Sequence, residues 1–275
     1  MDPAFGAVDA RKAAPAVSLI IDDLGEQFEA GERALALPGQ VAYAFLPATP
    51  HAVAQARRAH ASGREVLLHL PMEHPGGKLY PLGLSQKTPR EELVRRFATA
   101  LASVPYASGV NNHQGSLLTE RREPMSALMR EIRAAGRLYF VDSRTSIRSV
   151  AYDAARQAGV PAARREVFLD ALREPVAIAR AWQQTLSIAR KRGTALAIAH
   201  PYPETLALLA AELPGLKSAG VRLVPPSELI RLRGSDVPRA QPRLKWSVAL
   251  ARLTTVPASP GPTTPAAAHA RASRR

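Results

Sequence analysis

Val17–Gly25 reads VSLIIDDLG: an almost unbroken apolar run that ends on two adjacent carboxylates. A short apolar run of this kind, bounded by polar residues, is the signature of a strand covered on both faces in a parallel sheet. The same pattern returns along the chain. Strands are expected at Val17–Ile21, Val41–Leu46, Glu65–Leu70, Gly109–Asn111, Arg137–Val141, Val167–Leu169, Thr194–Ala199 and Val221–Val224. Helical patterns lie between them, near Glu26–Leu37, Pro50–Ser62, Pro89–Ser103, Glu123–Ala135, Val150–Ala158, Pro175–Arg192 and Pro203–Ala219. Thr88-Pro89 followed by Glu91 and Glu92 carries the chemistry of a helix start. Gly63, Gly136, Gly193 and Gly220 each stand where a helix gives way to a strand. This alternation predicts an α/β domain with parallel strands. Seven or eight units over 16–233 fit a (β/α) barrel; an open doubly wound sheet is the alternative that periodicity leaves standing.

Composition narrows the chemistry. The chain has 275 residues and no cysteine, so thiolate metal sites and cysteine nucleophiles are excluded and any metal must be held by His, Asp, Glu or Asn. Net charge is +14. The Pro/Ala-rich segment Gly234–Arg275 carries seven Arg or Lys against Asp236 alone. Many of the remaining arginines fall on amphipathic helical stretches, and aromatics make up only 5% of the chain. No nucleic-acid partner is expected from that pattern. No run approaches about 18 apolar residues, so no transmembrane helix is expected. Residues 1–15 lack the order of a secretory signal, and both they and 234–275 are expected to be disordered.

Position is the informative feature. Asp22 and Asp23 follow the first strand; His69 closes the third, with Glu73 just beyond. Asn112 and His113 follow the fourth, Asp142 and Arg144 the fifth, Asp170 the sixth, and His200 the seventh. The carboxyl ends of parallel strands share one face, so these residues would converge there. Capping, core packing or a structural ion pair could explain each residue singly. Two adjacent acids at a buried strand end nonetheless favour a cation as company. A carboxylate with two imidazoles is a ligand set for zinc or another divalent ion.

IIDDLG (20–25), HLPME (69–73), GVNNHQGS (109–116), FVDSRT (140–145), VFLD (167–170) and AIAHP (197–201) together resemble the divergent polysaccharide deacetylase family, a branch of the carbohydrate deacetylases with NodB-like barrels. The resemblance implies metal-dependent removal of acetyl groups from an N-acetylated poly- or oligosaccharide, with a divalent metal, zinc first, as cofactor. It implies Asp23 as a metal ligand, Asp22 as general base and His200 as general acid. His69 and His113 complete the ligand set, in place of the helical His-x-x-x-His pair of better-studied relatives. Glu73 is the reserve base. Asn112 and Arg144 are expected to touch substrate, and Asp142 and Asp170 to fix imidazoles. A glycan substrate and a periplasmic or cell-envelope location follow from the same resemblance. The rival expectations are an inert glycan-binding member of this fold and a glycosidase built on Asp22, Asp142 and Asp170.

Overall fold

The computed structural model describes residues 14–234; most of the 1–15 segment and nearly all of the 234–275 tail lie outside the described residues. Within them nine parallel strands alternate with eight helices: β1 (Ala16–Leu24), α1 (Phe28–Leu35), β2 (Ala42–Phe45), α2 (Ala52–Ala61), β3 (Val66–Met72), α3 (Arg90–Ser103), β4 (Ala107–Gln114), α4 (Arg122–Ala134), β5 (Tyr139–Asp142), α5 (Ala151–Gln157), β6 (Ala162–Arg164), β7 (Val167–Phe168), α6 (Pro175–Arg192), β8 (Thr194–Ala199), α7 (Pro203–Glu212), β9 (Arg222–Leu223) and α8 (Pro226–Leu232).

The strand order decides between barrel and open sheet. Neighbours run β6-β5-β4-β3-β2-β1-β8-β7, with β9 added against the start of β1. From β7 onward this is the chain order itself, wrapped so that β8 meets β1, whereas a doubly wound sheet reverses direction at a switch point. The two ends, β6 and β7, are joined by only two residues. There the chain crosses from one edge to the other: the Arg165 N–H donates to the Asp142 carbonyl and the Glu166 N–H to the Leu196 carbonyl, 3.0 and 2.9 Å. The fold is a curled, incomplete (β/α) barrel.

Side-chain alternation fills it. Ile20, Ala44, Leu67, Tyr139, Val141, Ala163, Leu196 and Ile198 form one buried cluster inside the sheet. They occupy alternate positions on their strands, as a two-residue period requires. Leu229 and Ile230 of α8 close the cluster from below. Gly109 makes room for Tyr139, because a Cβ there would stand 2.3 Å from the Tyr139 ring. That ring sends its hydroxyl to Glu65 Oε2 at 2.7 Å, and Glu65 also accepts from the N–H and hydroxyl of Ser227 on α8.

Several boundaries differ from expectation for identifiable reasons. Pro214 brings the helix expected over 203–219 to an early end at Glu212, followed by a single tight turn. β6 has three residues and α8 seven, too few for periodicity to register. The most consequential difference is at the site: β1 extends through Asp22 and Asp23 and β4 through His113, while His69 lies within β3 as expected. Asp22, Asp23 and His113 belong to the strands instead of following them, so the sheet itself aims all four.

Candidate metal centre and cleft

Continuing the inward alternation beyond the apolar cluster gives Asp22 after Ile20, His69 after Leu67, Asn111 and His113 after Gly109, and His200 after Ile198. Apolar residues fill the lower layers of the barrel, and polar ones occupy its mouth. Adjacent residues of a regular strand cannot face one side, yet both Asp22 and Asp23 do. The cause is an irregularity in the β1–β2 register between Ile21 and Leu24, where Asp23 adopts φ 58°. Aspartate tolerates this left-handed conformation better than most residues.

Asp23 Oδ1 lies 2.8 Å from His113 Nδ1 and 3.1 Å from His69 Nε2, and the two nitrogens are 3.2 Å apart. A tetrahedral zinc with ligands at about 2.0–2.1 Å separates its donors by about 3.3 Å, so this triangle fits such an ion after a slight expansion. Tautomers agree. The other His69 nitrogen, Nδ1, is 2.9 Å from the Asn111 side-chain oxygen; donating its hydrogen there leaves Nε2 with a lone pair facing the triangle. His113 Nε2 is buried without a hydrogen-bond partner among the described residues, while Nδ1 points at the other two donors. The Tyr80 ring packs against the His113 ring, centroids 4.8 Å apart.

Asn111 is a clamp. It accepts from His69 and donates through Nδ2 to Asp22 Oδ1 at 2.8 Å. The other Asp22 oxygen stays beside the triangle, 3.6 Å from His69 Nε2. Burial raises the Asp22 carboxyl above the ordinary range, outweighing the pull of His69 and His200. Asp23 goes the other way: burial pushes it up, but the hydrogen bonds from His113 and His69 hold it well below the usual carboxylate range. Burial lowers His69, yet Asp22 and Asp23 outweigh it and lift the imidazole to about 9.

His200 stands across the mouth, its Nε2 3.7 Å from Asp23 Oδ2. Asp170 holds it twice, accepting from the backbone N–H at 2.7 Å and facing Nδ1 at 2.9 Å. Thr205 donates to the same carboxylate at 3.0 Å. Burial works against the charged ring, but Asp170 and then Asp23 raise its pKa above the ordinary value. A cleft of about 430 Å³ opens over Asp23 and His200, walled by Tyr80, Tyr202, Arg33 and Arg173.

Four of the expected residues are not brought into this cluster. Asp142, expected to fix an imidazole, faces outward and accepts from the N–H groups of Arg144 and Tyr152 and from the Ser149 hydroxyl; it ties the β5 turn to the start of α5. Asn112 also falls on the outward parity, with its amide spent on the Ser143 N–H and the Gln114 carbonyl. Glu73 accepts from the Gln86 N–H at the base of the 73–86 loop. Arg144 bonds Asp142 only through its backbone N–H, and its side chain is exposed. Asn111, Tyr80 and Arg165 went unassigned by sequence reasoning. Counting by twos from the apolar cluster finds Asn111 and Arg165; nothing in the sequence pattern points to Tyr80.

Comparison with known proteins bears on the fold and the family. The chain is 37% identical over 196 residues to protein YibQ of Escherichia coli strain K12, covering 70% of this chain and 60% of that protein. It thus spans less than two thirds of that relative's length. Among solved structures it resembles ATU2773 of Agrobacterium tumefaciens C58, with a TM-score of 0.74 at 24% identity over 78% of this chain and 88% of that one. It also resembles the peptidoglycan deacetylase PdaC of Bacillus subtilis, with a TM-score of 0.51 at 13% identity over 82% and 94%. At these identities the two likenesses concern the fold. The model of the divergent polysaccharide deacetylases matches residues 19–230, and the chain belongs to that family.

Proposed function

We propose that the barrel mouth hydrolyses N-acyl groups, acetyl first among them, from an N-acetylated poly- or oligosaccharide. The carrying observation is the convergence of Asp23, His69 and His113, whose donor atoms lie within 4.8 Å of one another, beside an unbonded Asp22 oxygen and an Asp170-held His200. These three side chains would hold a divalent ion, zinc in this reading. Such an ion, when bound, supplies a Lewis acid that acidifies water and polarises a carbonyl.

The chain's own groups supply the proton handling. Asp22 takes a proton from the attacking water at Oδ2, the oxygen that Asn111 leaves free. Its raised pKa suits a base that must gain a proton in the transition state. His200 delivers a proton from Nε2 to the departing amine nitrogen, while Asp170 fixes the ring and favours its charged form. Tyr80 and Tyr202 offer flat apolar faces in the cleft, the surface a sugar ring stacks on, and Tyr80 also holds the His113 ring in place.

The glycosidase alternative loses a partner, since Asp142 is committed to α5. An inert glycan-binding member is separated by experiment. Acetate release from N-acetylated oligosaccharides is expected with added zinc. Asp22→Asn should lower kcat by about 10²–10⁴-fold while metal content stays unchanged. Glycan binding with no metal uptake and no acetate release would reject the hydrolase reading.

A further inference from the structure

Arg165 continues the inward parity of Ala163, and its guanidinium lies over the Phe168 ring, 4.7 Å from ring centre. Phe168 in turn contacts the His200 ring, with centroids 5.0 Å apart. Arg165 therefore lies one ring away from the group assigned to protonate the leaving amine. Its orientation is fixed: Nε donates to the Ser143 carbonyl at 2.6 Å and Nη2 to the Arg144 carbonyl at 2.9 Å. Those bonds use the side edge of the fork. The end edge, formed by Nη1 and the second Nη2 hydrogen, has no partner among the described residues, and two parallel N–H groups on a planar fork match the two oxygens of a carboxylate.

The electrostatics agree. Among the described residues, neither the Arg144 nor the Arg165 guanidinium has a carboxylate oxygen within 4.0 Å. Burial and then the neighbouring Arg144 hold the Arg165 pKa below the ordinary guanidinium value, outweighing the pull of Asp142, Asp22 and Glu166. A half-buried charge beside a like charge costs free energy that a visiting anion offsets. By contrast Arg173, which lines the cleft, is already bonded to Glu204 at 2.8 Å.

We propose that the Arg144–Arg165 corner receives a carboxylate borne by the glycan, so that the substrate class is an acidic, N-acetylated saccharide. This deepens the deacetylase reading and rests on it for the reaction, but not for the binding. The carboxylate could belong to a uronic acid or to a lactyl ether on the sugar.

Two disaccharides test the idea, N-acetylglucosamine joined to glucuronic acid and N-acetylglucosamine joined to N-acetylmuramic acid, each against its carboxamide. The zinc-loaded protein is expected to show kcat/KM at least about tenfold higher for one carboxylate over its amide, the size of a charge-assisted pair. The favoured disaccharide identifies the source. The ratio should fall toward one in Arg144→Gln and in Arg165→Gln. A ratio of one in the parent protein for both disaccharides, or a preference that survives in the double variant, overturns the assignment. Calorimetric binding to chelated protein separates the two claims. Carboxylate-selective binding that both variants lose supports this corner even if no acetate is released from any substrate. Absence of such selectivity alongside normal acetate release refutes the corner and leaves the hydrolase reading intact.

Discussion

The barrel's floor and its mouth are built from the same strands and the same inward alternation, yet they treat buried polar groups in opposite ways. At the floor, Glu65 is surrounded by donors: Tyr139, the Ser227 hydroxyl and the Ser227 N–H all point at it, and α8 lies beneath. At the mouth, two acids and two imidazoles are pressed together, and His113 Nε2 has no hydrogen-bond partner among the described residues. A buried polar group that is fully bonded specifies the fold; one left in conflict is held in place by the surrounding structure and asks for a ligand. The floor is satisfied from within and the mouth is not.

That contrast can be broken by substitution. The largest expected effect is at the mouth: His200→Ala should lower kcat for acetate release by about 10²–10⁴-fold with metal content and melting temperature nearly unchanged. Loss of folding in this variant would assign His200 to the floor's kind of role. Next comes Gly109→Ala, whose added methyl meets the Tyr139 ring. It should cost about 1–3 kcal/mol in urea unfolding, with about one metal still bound per folded chain. Glu65→Gln replaces an acceptor with a group that is half donor, opposite three donors. A loss of about 1–3 kcal/mol is expected, again without effect on metal content.

The smallest effect is a pH dependence that only the mouth should show. In chelated protein the folded His69 titrates at about 9, above the roughly 6.5 of an unfolded histidine. A raised basic pKa favours the folded state while the ring is charged. Its contribution is therefore complete below about pH 6.5 and disappears as pH rises through about 9. Chelated protein should melt at lower temperature at pH 9 than at pH 6.5, and His69→Gln should flatten that slope. An unchanged slope in the variant would place its origin elsewhere.

The division between floor and mouth also marks what was readable from the chain alone. Apolar runs such as Thr194–Ala199 announce themselves, because a strand buried on both faces has no choice of residue. The ends of β3 and β4 do not, because His69, Asn111 and His113 break the apolar pattern where the strands are still paired. A fourth strand ending at Asn111, where β4 in fact runs to Gln114, hides the alternation that separates Asn111, which faces the site, from Asn112, which faces out. The same parity turns Asp142 toward α5. Asp23 could not be placed by alternation at all, since its orientation depends on a backbone irregularity that period-two counting denies. Tyr80 reaches His113 from a long loop, where no periodicity operates.

The central claim is that Asp23, His69 and His113 surround one cation. Metal analysis of the protein purified without chelators tests it most directly. About one zinc or other divalent ion per chain is expected in the parent, and almost none in Asp23→Ala and in His113→Ala, both still folded by circular dichroism. Full metal content in both variants would contradict the account.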